Sequence, residues 1–169
     1  MKSRFLRCVV FLVSLHVLTA ISLAGPIAYY FEMPPIEGES TARNHPKEIA
    51  ATGFQLVVED SNTTTFVLQK SIDKSTTDFL DALGASTQFD TAKLTGEKLT
   101  SGALTKFFTM VFSDVAVVSV KTDTGCQDGV PVEKITFSFS RVVITYFEQN
   151  PRSGAPIPHS ATVIVNPTF

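Results

Sequence analysis

Apolar and polar residues alternate with a period of two over most of this chain, and a helical period surfaces in one place. Ile27 to Met33 is a β-rich run that stops at Pro34-Pro35, which cannot continue a central strand. Residues 34–48 then carry Pro, Gly, Asn, Ser and charges without periodicity, and they predict a loop longer than the usual few residues. Phe54, Leu56 and Val58 alternate with Gln55, Val57 and Glu59. After the turn-like Asp60-Ser61-Asn62, Phe66 and Leu68 stand opposite Thr65, Val67 and Gln69, so the two runs predict a hairpin.

Ser75-Thr76-Thr77-Asp78 supplies capping side chains ahead of Phe79-Leu80-Asp81-Ala82-Leu83, and Gly84 is the expected terminator. Phe79, Leu80 and Leu83 give this short helix one apolar face, suited to plugging the open end of a sheet or barrel. Residues 89–99 are expected to hold a weakly patterned strand around Ala92-Lys93-Leu94, followed by a turn at Ser101-Gly102. Phe107 to Val120 is apolar on both parities, the pattern of a strand covered on both sides. The last long strand, after Pro131, breaks parity: Ile135, Phe137 and Phe139 are odd, whereas Val142, Ile144 and Tyr146 are even. A one-residue bulge near Ser140-Arg141 is expected to keep both sets inward. In the tail, Pro151, Pro156, Pro158 and Pro167 leave Ala161 to Val165 as the expected edge strand. Five to eight strands and one helix predict a mainly β protein, a compact antiparallel β-barrel flanked by one short α-helix.

The N-terminus reads differently. Lys2, Arg4 and Arg7 precede an apolar stretch from Cys8 to Leu23, and Ser22-Leu23-Ala24 offers the small residues of a signal-peptidase site. Residues 1–24 are therefore read as a signal peptide cut after Ala24, and 25–169 as one domain whose residues 151–169 form a proline-containing tail. The alternative, a retained anchor, is opposed by the length of the stretch and by Ser14, His16, Thr19 and Ser22 within it. Cleavage leaves 145 residues with eleven basic and sixteen acidic side chains and no basic run, which argues against an electrostatic binder of nucleic acid or anionic membrane, and with the leader removed no stable membrane insertion is expected. It also leaves Cys126 as the single cysteine, free or paired between chains, so no intrachain disulfide staples the domain. The expected location is periplasmic or extracellular.

A search for chemistry returns little. Ser71-Ile72-Asp73-Lys74 spells S-x-x-K, in which a lysine activates a serine nucleophile, but Val115 follows Ser113-Asp114 where Asn is needed and no K-T-G occurs. His45 and His159 have no second His or Cys at ligand spacing, and the aspartates at 60, 73, 78 and 81 suit turn and helix-start roles. No cofactor or metal is expected, and no phosphate-cradling glycine loop is present. Asn62-Thr63-Thr64 spells a glycosylation acceptor, relevant in a glycosylating secretory pathway.

Three stretches in order carry a family resemblance. The opening strand runs into Ile36-Glu37-Gly38-Glu39-Ser40, then Asn44-His45-Pro46-Lys47-Glu48-Ile49. Gln69-Lys70, Asp73 and Ser75 lead into Phe79-Leu80. Finally, Asp114-Val115-Ala116-Val117-Val118-Ser119 precedes Pro131-Val132-Glu133 and Tyr146. Together they resemble the haemolysin-coregulated protein family, Hcp, the tube protein of bacterial type VI secretion systems, across nearly all of residues 27–150.

The resemblance implies a non-enzymatic structural or transport protein: a barrel that assembles into hexameric rings, stacks as a tube, and meets spike and sheath proteins and small effector cargo. Loop 34–48 is then the candidate oligomer-contact segment, with Gly38, Glu39, Ser40, His45 and Lys47 as its candidate residues, because an irregular segment of that length needs a partner to offset its ordering entropy. Without the resemblance it reads as a mobile surface loop. The leader departs from the family, whose tube proteins leave through the secretion machine itself, and so does a long, irregular tail from Pro151. A second reading is therefore an exported, stand-alone Hcp-like binding protein outside any tube.

Overall fold

The computed structural model describes residues 26–59, 64–100, 102–127, 129–150 and 152–165. The leader at 1–24, the turn at 60–62 with its glycosylation acceptor, and the side chain of Cys126 lie outside the described residues. Eight strands and one helix follow in the order β1 (Ile27–Glu32), β2 (Ile49–Val58), β3 (Thr64–Ser71), α1 (Ser75–Gly84), β4 (Gln88–Thr100), β5 (Ala103–Gln127), β6 (Val130–Ser138), β7 (Arg141–Gln149) and β8 (Pro156–Ile164). Every pairing is antiparallel. The strands run β4-β1-β2-β3-β6-β5, and β4 also pairs with β5, so the sheet closes into the expected barrel. Closure removes the sheet edges that six open strands would expose. The β7–β8 hairpin extends outward from β5.

The interior is built on phenylalanine. Phe31, Phe66, Phe112, Phe137 and Phe139 are each at most 1% exposed. Phe66 is central: its ring lies 4.5 Å from Phe112, 5.8 Å from both Phe31 and Phe137, and 6.4 Å from Phe54. With no tryptophan in the chain, these rings supply much of the buried apolar surface.

The structure revises the parity break. β6 and β7 lie end to end along one edge of β5, and the pairing continues without slippage from Val117↔Phe137 and Ala116↔Ser138 to Ser113↔Arg141 and Phe108↔Tyr146. Inward parity switches on both strands at one level, from Phe112 to Val115 on β5 and from Phe139 to Val142 opposite. A bulge on one strand shifts the register, whereas an irregularity shared by both preserves it. Asp114 adopts φ 53° there, Ser140 N–H donates to Ser113 O at 3.0 Å, and Ser140 Oγ bonds the Asp114 carboxylate.

Five further expectations change. β5 is covered on one face only, because the barrel wall turns Val111 and Val118 outward, 37% and 54% exposed. Leu80 is 50% exposed, and α1 instead buries Ser75, Phe79 and Ala82, with Phe79 meeting Phe137 edge-on at 5.8 Å. Gly84 stays within the helix, and the left-handed residue that ends it is Ser86, φ 52°. β4 runs the full thirteen residues 88–100 where the sequence marks a strand around Ala92–Leu94 within 89–99, because polar Thr95 and Glu97 lie on the outer parity beside Tyr30, where His45 covers Glu97, while Gly96 lies on the inner parity beneath Phe108. A Cβ on Gly96 would fall 2.2 Å from that ring. β8 likewise begins at Pro156, well before Ala161, since its outward edge carries no ladder that proline would break.

Phe66→Ala is expected to destabilise the fold by about 3–5 kcal/mol. The check is a urea titration in which the midpoint falls while the slope stays constant.

Candidate functional site

Loop 34–48 is ordered by its own backbone. Gly38 N–H donates to Lys47 O at 2.7 Å, Ser40 N–H to Glu48 O at 3.0 Å, and Lys47 N–H back to Ser40 O at 2.8 Å. A Cβ on Gly38 would lie 2.4 Å from Glu48 O and 2.5 Å from Ile49 Cα, so only glycine permits this approach. Of the five candidate residues, Gly38 and His45 are buried, Ser40 is half-buried, and Glu39 and Lys47 are exposed. The loop brings all five into one folded segment.

His45 ties that segment to the barrel. Its Nδ1 lies 2.9 Å from Glu48 Oε2 and its Nε2 3.2 Å from Glu97 Oε1, and its ring stacks on Tyr30 at 4.1 Å and 7°. Both nitrogens donate to these carboxylates only when the ring carries both protons. Burial first, then the negative charges of Glu97 and Glu48, push the Tyr30 phenol above its ordinary pKa. At the loop's outer side Lys47 and Lys74 both reach Glu37, at 3.1 and 3.2 Å, and their hydrogen bonds hold the Glu37 carboxyl below its ordinary range. These outer pairs are exposed and contribute little to stability.

A second polar cluster sits deeper. Lys70 on β3 and Glu133 on β6 are cross-strand partners, both fully buried, with Nζ 2.6 Å from Oε1. Lys70 Nζ also reaches Asp73 Oδ1 at 2.6 Å, Ser71 O at 3.0 Å and Thr76 Oγ1 at 3.3 Å. Thr76 in turn donates to Glu133 Oε1 at 2.8 Å. Asp73 accepts from Ser75 N–H at 2.9 Å and Ser75 Oγ at 2.5 Å, at the start of α1. The helix N-terminus thus offsets the second carboxylate. Asp73 performs the N-terminal capping that the sequence assigns to residues 75–78. Sequence reasoning reached Lys70, Glu48 and Glu133 through motif order, and Asp73, Ser75 and Thr76 through motif order or helix-start chemistry, without assigning them to one cluster; it gave Tyr30 and Glu97 no polar role.

Nothing in this arrangement is a nucleophile with its base. Lys74, the lysine of the S-x-x-K spelling, turns to Glu37, while the buried lysine is Lys70. Among the described residues no group of three or more His, Cys, Asp or Glu side chains has metal-binding geometry, and no helix is long and apolar enough to cross a membrane. A cleft of about 590 Å³ between α1 and Pro34-Pro35-Ile36 is walled by Asp78, Asp81 and Asp90, with no basic group facing them. The polar side chains act as braces: they clamp the loop and the helix start to the barrel.

Lys70→Met is expected to cost about 3–5 kcal/mol, because it leaves Glu133 buried without its counter-ion; urea unfolding reads this out. The raised Tyr30 pKa also fixes a sign. Its stabilisation is fully present below the phenol's ordinary pKa of about 10 and is lost as pH rises through the folded value. Tyr30→Phe should therefore flatten the fall in urea midpoint above about pH 10, measured against wild type in the same buffers.

Comparison with known proteins agrees with the barrel. The chain is similar in structure to Hcp1 from Salmonella typhimurium (TM-score 0.72, 19% identity, covering 82% of this chain and 94% of that one). It is also similar to a type VI secretion system effector from Yersinia pestis (TM-score 0.67, 25% identity, 81% and 99%). A third likeness is to the secreted protein Hcp3 from Pseudomonas aeruginosa (TM-score 0.63, 16% identity, 85% and 99%). No curated protein matches the sequence. A family model, Type VI secretion system effector, Hcp, matches residues 30–146, a span that holds the loop, both buried clusters and the closed barrel together. With more than half its length matched in this way, the chain belongs to the Hcp family.

Proposed function

We propose that this protein is a non-enzymatic structural subunit that assembles with copies of itself into hexameric rings, in the manner of a type VI secretion tube, and passes or carries small effectors. The observation that carries the reading is the use to which the polar residues are put. Within the family-matched span, the buried His45, Lys70, Glu97 and Glu133 are bonded to protein groups that brace the fold. Rigidity of that kind suits a building block, whose contact surfaces must be identical from copy to copy. The braced loop is the proposed contact segment: Gly38 and His45 hold its shape, and Glu39, Ser40 and Lys47 meet the neighbour. Spike, sheath and effector proteins are the proposed partners, with no nucleic acid.

The leader read at residues 1–24 favours a second reading, an Hcp-like protein exported to the periplasm or beyond and working outside a tube. Light scattering after size exclusion separates the two, under reducing conditions so that Cys126 cannot crosslink chains. A mass near a hexamer is expected. A monomer at high concentration would overturn the ring and favour the stand-alone protein.

A further inference from the structure

Loop 34–48 is fastened to the rest of the chain at two places, one exposed and one buried. Near its start, Lys74 N–H donates to Glu39 Oε1 at 3.3 Å and Lys74 Nζ reaches Glu37 at 3.2 Å. At its tip the fastening is His45, the only buried ionisable residue of the loop. The surface beneath it follows from the β1–β4 ladder: Tyr30 pairs with Thr95 and Ala28 with Glu97, which puts the Tyr30 ring and the Glu97 carboxylate in adjacent rows of the outer parity. The imidazole stacks on the first and bonds the second, while its other nitrogen meets Glu48.

That cluster sets two carboxylates against one imidazole, and among the described residues no other cation is paired with Glu48 or Glu97. Lys47 of the loop is committed to Glu37, Lys93 of β4 to Glu32 on β1, Lys98 of β4 to the Phe107 ring, and Lys106 of β5, the cross-strand partner of Glu97, to the Phe147 ring. Arg43 is exposed.

The proton count of the ring therefore decides whether its contacts hold. Doubly protonated, it donates to both carboxylates. With one proton gone, a nitrogen lone pair faces a carboxylate oxygen at 2.9 or 3.2 Å, and two negative charges share a buried site without a cation. The backbone bonds from Gly38 to Lys47, Ser40 to Glu48 and Lys47 to Ser40 close the base of the tip without involving the ring, so release of the tip leaves β1, β2 and β4 paired.

We infer that His45 is a proton-operated latch: the doubly protonated ring holds the tip, Thr41 to Pro46, against β1 and β4, and loss of one ring proton releases it. The latch closes as pH falls, and it opens as pH rises through the titration of the ring. Protonation of Glu48 or Glu97 in stronger acid removes an acceptor and opens it again, so the closed form occupies a band of pH. The latch belongs to a single chain and stands whether or not copies assemble.

The test follows two quantities in the purified protein from about pH 5 to about pH 9, the range across which imidazoles change charge. One is the NMR shift of the His45 ring Cε1–H, and the other is the protection of the amides of Thr41 to His45 against hydrogen exchange, at a concentration where light scattering gives the same mass throughout. Tyr30 keeps its proton over this range, because burial, then Glu97 and Glu48, hold its phenol above its ordinary pKa. Protection at the tip is expected to fall about tenfold or more, as the loss of a charge-assisted hydrogen bond implies. Its midpoint should coincide with that of the ring, while the amides of β3 and β6 keep their protection. Glu97→Gln separates a latch from a passive brace: the carboxamide accepts from a protonated nitrogen and donates to a bare one, so the tip should stay protected on both sides of the ring's titration. A tip whose protection is unchanged as the ring titrates, a ring that keeps both protons throughout, a Glu97→Gln variant with the wild-type pH dependence, or a loss of protection shared by β3 and β6 would each overturn the latch.

Discussion

Lys70 and Glu133 face each other across two strands with no exposure to solvent, and that pair joins the β3–β6 ladder to the start of α1. A buried ammonium is tolerated only with its counter-charge and hydrogen bonds in place. Satisfying it fixes the β3–β6 register, draws Asp73 and Thr76 to the same nitrogen, and so determines where α1 begins. The helix then delivers the chain to β4, which closes the barrel against β5. Sheet closure, helix position and a polar cluster are thus one linked arrangement.

The second brace works on the loop. His45, held between Glu48 and Glu97 and stacked on Tyr30, converts fifteen residues without periodicity into a folded segment with a fixed outer surface. Gly38 is the backbone counterpart, since any side chain there would collide with Glu48 and Ile49. The loop's ordering cost is thus met within the fold, by buried charge pairs and backbone hydrogen bonds.

Much of the fold was legible in the sequence because period-two alternation reports directly on strands with one dry face. The hairpin around Phe54 and Phe66 was readable for this reason, the helix at Phe79 from its change of period, and the strand from Phe107 from its apolar length, although β5 buries one face only and leaves Val111 and Val118 exposed. β4 was only partly marked, since Thr95 and Glu97 lie on its outer parity, where the loop's His45 covers Glu97, and Gly96 lies on the inner parity beneath the Phe108 ring, so neither face carries an apolar run there. The parity break between Phe139 and Val142 was visible, but its cause involves Asp114 on the facing strand, which one strand's pattern cannot reveal. In the candidate site, Lys70 shares inward parity with Phe66 and Leu68, and Glu133 with Ile135 and Phe137. Opposite charges on the inward parity of two strands are the sequence signal of such a pair, because each can be buried only against the other.

The measurement that tests the central claim most directly is a double-mutant cycle on the buried pair, with Lys70→Met, Glu133→Leu and both together compared by urea unfolding. If the pair organises the β3–β6 register and the helix start, the double variant recovers much of what either single change loses, with a coupling of about 2 kcal/mol or more. Single losses that add to within about 0.5 kcal/mol would show that the two residues act independently, and the linked arrangement would have to be abandoned.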